Sequence, residues 1–135
     1  MAVSLSTAAR RLLDAPNPAV PATVLPDGSP QTSVVRIARD GDVLVVSSEA
    51  GRRKDRHIAA DPRVSVTVYD LKDPLLYVEV RGTATITEDA GRELAVRPAE
   101  RYEGPGAGAE YLELPPEVER IVIRITPEQV VGTAA

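Results

Sequence analysis

Cysteine is absent from the chain, and with it disulfides, thiolate catalysis and cysteine metal sites. Phenylalanine and tryptophan are absent too, which leaves Tyr69, Tyr77, Tyr102 and Tyr111 as the only aromatic residues. The core must then be built from Val, Ile, Leu and Ala, and the abundant Val favours strands. A lone histidine, His57, excludes a His-rich metal site within one chain. No apolar run approaches the roughly 18 residues of a membrane-spanning helix. The N-terminus lacks the basic stretch and apolar run of a signal peptide. The expectation is a cytoplasmic protein with no membrane partner, and the absence of Cys fits a reducing compartment. Lysine is scarce: only Lys54 and Lys72 among 16 basic residues.

What is present fits one domain spanning residues 1–135. A chain this short buries about two-thirds of the surface it exposes when unfolded. A sizeable ligand is therefore expected in a surface cleft or at a subunit interface. The net charge of −4 is unevenly placed. From Glu88 to Glu119 nine acids face only Arg92, Arg97 and Arg101, so the remainder is net basic. The densest basic cluster is Arg52-Arg53-Lys54-Asp55-Arg56. A nucleic-acid binder would be more basic overall and carry more stacking aromatics, so a local anion site is the better reading.

Along the chain, Ser4–Asp14 reads as a helix capped by Ser6 or Thr7 and stopped at Pro16-Asn17-Pro18. Ala19–Leu25 is a strand, and Pro21 within it argues for an edge position or a bulge. Pro26-Asp27-Gly28-Ser29 and Asp40-Gly41 are turn signals on either side of a second strand, Pro30–Arg39. Val43–Ser48 is a third strand, and Gly51–Ala60 a short helix. Arg63–Asp70 and Leu75–Thr87 are the fourth and fifth strands. In the fifth, Leu76, Val78 and Val80 alternate with Tyr77, Glu79 and Arg81. A helical stretch from Glu88 to about Glu103, a Gly/Pro/Ala break at Gly104–Gly108 and a last strand at Glu119–Thr126 complete the reading. Six strands with short helices imply a mainly β fold, a small antiparallel barrel.

Chemistry concentrates in Ser47-Ser48-Glu49-Ala50-Gly51-Arg52-Arg53-Lys54-Asp55-Arg56-His57, where a strand ends in two hydroxyls and a basic helix begins. Helix N-termini attract anions, and cations placed there cost stability unless an anion compensates. The segment is either a phosphate site or a solvated basic face with Glu49 and Asp55 as counterions. His57 is the one side chain of a type that titrates near neutrality, but no Ser or Asp partner is implied by spacing. A helix-surface or phosphate-side role fits it better than a general base.

The segments Ala19–Val35, Asp40–Ser48, Gly51–Ile58, Asp61–Val66, Tyr77–Ala84 and Ile125–Gly132, taken in order, resemble the pyridoxamine-5′-phosphate-oxidase-like split β-barrel family. Within it the chain is most similar to the actinobacterial coenzyme F-420 (deazaflavin)-dependent reductases. The resemblance implies a six-stranded antiparallel split β-barrel, FMN-binding-protein-like, and a homodimer with cofactor sites at the interface. It implies that Ser33, Val34, Val35 and Arg36 line the tricyclic ring. Ser47 and Ser48 would supply polar contacts, Arg52 and Lys54 would bind the phosphate, and Tyr77 would reach across the dimer. His57 would be structural and Arg53 peripheral. Arg36 departs from the bulky uncharged residue common among relatives. The implied activity is hydride transfer from reduced coenzyme F-420 to a small electron-poor acceptor, with no catalytic side chain. An FMN-binding oxidase or reductase, or a non-catalytic flavin or haem binder, are the alternatives.

Overall fold

The computed structural model describes residues 2–51, 53–89, 92–115 and 117–135. Helix α1 (Thr7–Asp14) precedes strands β1 (Ala19–Val24), β2 (Pro30–Thr32), β3 (Ala38–Asp40) and β4 (Val43–Glu49). Helix α2 (Arg53–Ala60), strands β5 (Arg63–Tyr69) and β6 (Tyr77–Glu88), helices α3 (Glu93–Glu103) and α4 (Ala109–Leu112), and strand β7 (Arg120–Val131) follow. The strands form one antiparallel sheet in the order β2-β1-β5-β6-β7-β4-β3.

Seven strands are present where six were expected, because the second predicted strand is divided into β2 and β3. The cause lies in β1. Ala19 and Val35 exchange backbone hydrogen bonds (3.2 and 2.8 Å), so the register makes Pro21 and Ser33 the next bonded pair. Ser33 donates to the Pro21 carbonyl at 3.3 Å, but Pro21 has no N–H to return. The ladder is interrupted there and resumes as a single bridge at Val35, after which the chain leaves β1 for β4. Ile37, in the crossing, donates its N–H to the Tyr102 hydroxyl (3.2 Å) in place of a strand carbonyl. Tyr102 donates in turn to the Asn17 carbonyl at 2.6 Å. Burial pushes the Tyr102 phenol above its usual range, which keeps it a donor. Of the edge position or bulge expected from Pro21, the edge position is corrected: β1 lies between β2 and β5. The two outer strands of the sheet, β2 and β3, are joined through residues 33–37 without a ladder between them, so hydrogen bonds do not close a barrel.

The concave side holds the core. Leu44, Val46, Val66, Val68, Val78, Val80, Ile123 and Ile125 pack with Ile37, with Ala9, Leu12 and Leu13 of α1, and with Ile58 of α2. A smaller cluster on the other face joins Val45 and Val122 to Leu94 of α3. Ser6 caps α1 by accepting from the Ala9 N–H at 3.0 Å. Asp42, in the two-residue β3–β4 turn, accepts from the Leu5 N–H (3.2 Å) and from Arg10 (2.8 Å). These bonds, the Leu5 one foremost, hold its carboxyl below the usual range. Gly41 supplies the left-handed φ of +62° which that turn needs.

Two other boundaries differ from expectation. Strand β6 starts at Tyr77, and Leu75 and Leu76 are exposed before it. Strand β7 continues past Thr126 to Val131, because its register against β6 shifts between Arg81 and Gly82 and accommodates Pro127. Gly82 is required at that bulge, since a Cβ there would lie 2.0 Å from the Thr126 carbonyl oxygen. Gly82→Ala should lower stability by about 1–3 kcal/mol or more, as for overpacked core positions. Urea unfolding with an unchanged m-value checks this.

Candidate anion and cofactor cleft

Strand β3 pairs with β4 only from Val43 to Val45. Beyond Val45 the β4 edge has no strand alongside it, and β2 is bare on its own outer side. The cleft lies between these two edges. It measures about 320 Å³ and is lined by Gln31 and Ser33 from the β2 side and by Ser47, Ser48 and Glu49 from β4. Arg53 and Lys54 at the start of α2, Arg120 at the start of β7, and Thr23 of β1 complete the wall. The volume is at the low end for small-molecule sites.

Local sequence explains each placement. Ser47 stands on the face of β4 that carries Val45, opposite Val122, and its hydroxyl accepts from Arg120 Nη2 at 2.8 Å. Ser48 stands on the opposite face and is buried. Gly51, with φ +87°, turns the chain into α2, and its N–H donates to Asp55 at 2.9 Å. That turn brings Arg53 and Lys54 onto the cleft rather than away from it.

Of the residues singled out from sequence, Ser33, Ser47, Ser48 and Lys54 meet in this cleft. Arg52 lies outside the described residues. Val35 is half-buried against the core and Val34 is exposed on the crossing segment. Arg36 forms an ion pair with Glu103, and its Nη1 lies 3.4 Å from the Tyr111 hydroxyl. Tyr77 is not part of the cleft in one copy of the chain. Tyr77 opens β6, three residues before Val80, which pairs through Val66 with Pro21 of the cleft wall, but it is not among the lining residues.

Sequence reasoning missed Thr23, Gln31 and Arg120 and left Arg53 at the periphery. Arg120 also stacks over the Tyr111 ring, 4.9 Å from its centroid. Tyr111 belongs to α4, so Arg120 ties the segment after α3 to the cleft wall. Arg92 fastens that segment. Its guanidinium donates to the carbonyls of Tyr111, Leu114, Pro115 and Val118 at 2.7–3.0 Å. Arg92 adopts a left-handed φ of +57° to do so. Asp89, buried beside it, accepts from the Leu94 and Ala95 N–H groups and caps α3.

Three cations against one carboxylate, three serine hydroxyls and two bare strand edges suit an anion carried on a larger polar ligand. Among the described residues no cluster of three or more His, Asp or Glu can hold a metal ion. Nor, among the described residues, is any helix long and apolar enough to cross a membrane.

An antiparallel sheet split at one place, with a cationic cleft in the split, is the fold of flavin-binding oxidoreductases. The family pattern of pyridoxamine 5′-phosphate oxidase matches residues 5–134, and the chain belongs to that family. A solved F420 reductase is 31% identical over 94% of this chain and 98% of its own, with a TM-score of 0.77. A conserved hypothetical protein of Mycobacterium tuberculosis (23% identical, 96% and 84% covered, TM-score 0.76) shares the fold. So does General Stress Protein 26 of Bacillus anthracis (23% identical, 91% and 88% covered, TM-score 0.67). No curated protein matches the chain.

Arg92→Ala keeps a Cβ at the strained angle but removes all four donors to the 111–118 segment. Limited proteolysis should then cut that segment faster than in the wild-type protein. Stability should fall by about 1–3 kcal/mol, the cost of leaving acceptors unpaired.

Proposed function

We propose that the protein is an oxidoreductase that uses reduced coenzyme F-420, with a small electron-poor organic molecule as acceptor, and acts in the cytoplasm as a homodimer. The observation that carries the reading is the cleft itself, where Arg53, Lys54 and Arg120 surround bare strand edges and serine hydroxyls. When bound, the deazaflavin supplies the hydride. The chain's part is to hold and orient. Lys54 and Arg53, with Arg52 next to them in sequence, take the phosphate and the start of the acidic tail. Ser33, Ser47 and Ser48 offer hydroxyls to the polar rim of the ring, and Val34, Val35 and the backbone around them form the surface it lies against. Arg36, held between Glu103 and Tyr111, faces the anionic tail or an acidic acceptor.

The reading needs a second copy of the chain. A cleft of about 320 Å³ suits the phosphate-bearing part of such a cofactor, and the ring requires a further wall. Tyr77, which does not line the cleft within one copy, would reach the site from the other. The 31% identical F420 reductase supports the deazaflavin over FMN. So does the number of cations, since FMN brings only a single phosphate. FMN remains the second reading, favoured by the family pattern that matches the chain.

Parallel fluorescence titrations decide between them. Coenzyme F-420 should bind more tightly than FMN, and its affinity should fall with added salt. Equal or reversed affinities would count against the deazaflavin. Lys54→Ala should weaken binding about ten- to a hundredfold, the worth of one charge-assisted contact, while the cofactor-free thermal midpoint barely moves. Light scattering should give a dimer at micromolar concentration; a monomer that still binds cofactor would overturn the shared groove.

A further inference from the structure

His57 is not in the cleft wall, yet it is connected to it through one amide. Gln31 of β2 lies between the His57 imidazole and the Arg53 guanidinium, which are one turn apart on α2. An amide has two orientations. With its oxygen toward Nδ1 and its nitrogen toward the guanidinium, neither neighbour is satisfied. In the other, Gln31 Nε2 donates to His57 Nδ1 at 3.0 Å. Its Oε1 then accepts from Arg53 Nε at 3.3 Å and from Arg53 Nη2 at 2.7 Å. Arg53 is always a donor, so the amide oxygen can face it only while Nδ1 is bare and accepting. Protonation at Nδ1 makes His57 a donor too. The amide oxygen must then choose one neighbour, and facing the imidazolium turns its NH₂ toward the guanidinium.

We propose that His57 is a positioning residue: neutral, it fixes the Arg53 guanidinium in the anion cleft through Gln31, and protonated it releases it. Anion affinity then carries the titration of His57. The ligand's identity rests on the proposed function, but the relay concerns any anion in this cleft.

His57 is the chain's one imidazole. From β1, Thr23 Oγ1 lies 3.5 Å from Nδ1. From β2 comes Gln31, and on α2 the neighbouring charges are Arg53, Lys54, Asp55 and Arg56. Strand β6 also packs on α2, and no titratable β6 side chain bonds to the ring. Among the described residues no carboxylate pairs with His57. Asp61, whose N–H bonds the His57 carbonyl, is held at about 2 by its hydrogen bonds from Arg63 and stays ionised throughout. Protonated His57 also adds positive charge, which draws anions in. For a doubly charged anion at a helical turn's distance, in a water-like medium at about 0.1 M ionic strength, that is worth about three- to fourfold. Loss of a positioned Arg contact is worth tenfold or more, so release wins.

Inorganic sulfate is the probe, because its charge is constant across the imidazole range. Its affinity is read from the backbone amide shifts of residues 53 and 54 in the full ¹⁵N-labelled chain, at constant ionic strength. Between about pH 8 and about pH 5.5, spanning that range, the wild-type dissociation constant should rise about threefold or more. The Gln31 side-chain NH₂ signals should shift with the same midpoint as the His57 ring. His57→Asn keeps an acceptor oxygen near the Nδ1 position but does not titrate, so its affinity should match the wild-type high-pH value at both pH values. Gln31→Leu leaves His57 in place and removes the link, so binding should be weak at both. Wild-type affinity that is unchanged or stronger at low pH overturns the relay, as does His57→Asn with the wild-type pH dependence. If coenzyme F-420 fails to bind while sulfate follows this pattern, the cofactor reading falls and the relay stands.

Discussion

One missing hydrogen organises this molecule. The stretch from Pro30 to Asp40 has to serve two strands, β1 at its start and β4 at its end, and these belong to different parts of the sheet. Pro21 cannot donate to Ser33, so the ladder with β1 weakens where the chain must depart. Tyr102 then supplies the acceptor that Ile37 would otherwise lack, at the cost of burying a hydroxyl that is itself satisfied by Asn17. Because the crossing is gradual, β3 covers only three residues of β4. The uncovered remainder of β4 faces the uncovered side of β2, and that gap is the cleft. The site is therefore a consequence of how the sheet fails to close, and no loop insertion is needed to make it.

Charge follows the same division. The acidic stretch from Glu88 to Glu119 would repel an anion if it lay across the gap. Two cations prevent that locally: Arg92 holds the carbonyls of Tyr111, Leu114, Pro115 and Val118, and Arg120, just past the stretch, turns toward Ser47 and Tyr111. Arg36 draws Glu103 into an ion pair on the same side. Surface ion pairs of this kind contribute little to stability. Their effect here is to settle which signs of charge face the cleft. The basic start of α2, unfavourable for an isolated helix, is answered by the Gln31 oxygen, which accepts from Arg53.

Much of this was legible in the sequence, for reasons that can be named. Alternation marked the buried faces of β5 and β6, the Asp-Gly pairs marked the turns, and two serines before a basic helix marked residues that line the cleft. Those signals are local. What escaped depends on register across the sheet. Arg120 reaches Ser47 because β7 pairs with β4, seventy-three residues earlier. Gln31 meets His57 because β2 folds over α2, and its own surroundings in sequence are an unremarkable turn. The extension of β7 beyond Pro127 rests on a bulge at Gly82 that periodicity alone does not show. One signal was available and unused. A chain with four tyrosines and no other aromatic residue places its few phenols where a hydroxyl is needed, and Tyr102 and Tyr111 are both found that way.

The separation between fold and site has a further physical basis. The core residues that hold the sheet, Val66, Val68, Val78, Val80, Ile123 and Ile125, are fully enclosed and belong to its paired centre. The cleft residues sit on its unpaired edges and on the first turn of an eight-residue helix, where few buried contacts depend on them. Changes there alter what is held more than whether the chain folds. Arg53 illustrates why exposure does not imply freedom. Its side chain is solvent-facing, yet Gln31 bonds two of its nitrogens and fixes the plane of the fork. An arginine arrested in this way loses less conformational entropy when an anion arrives. The protein can thus build a directional anion contact at the edge of a sheet, where packing alone would not supply one.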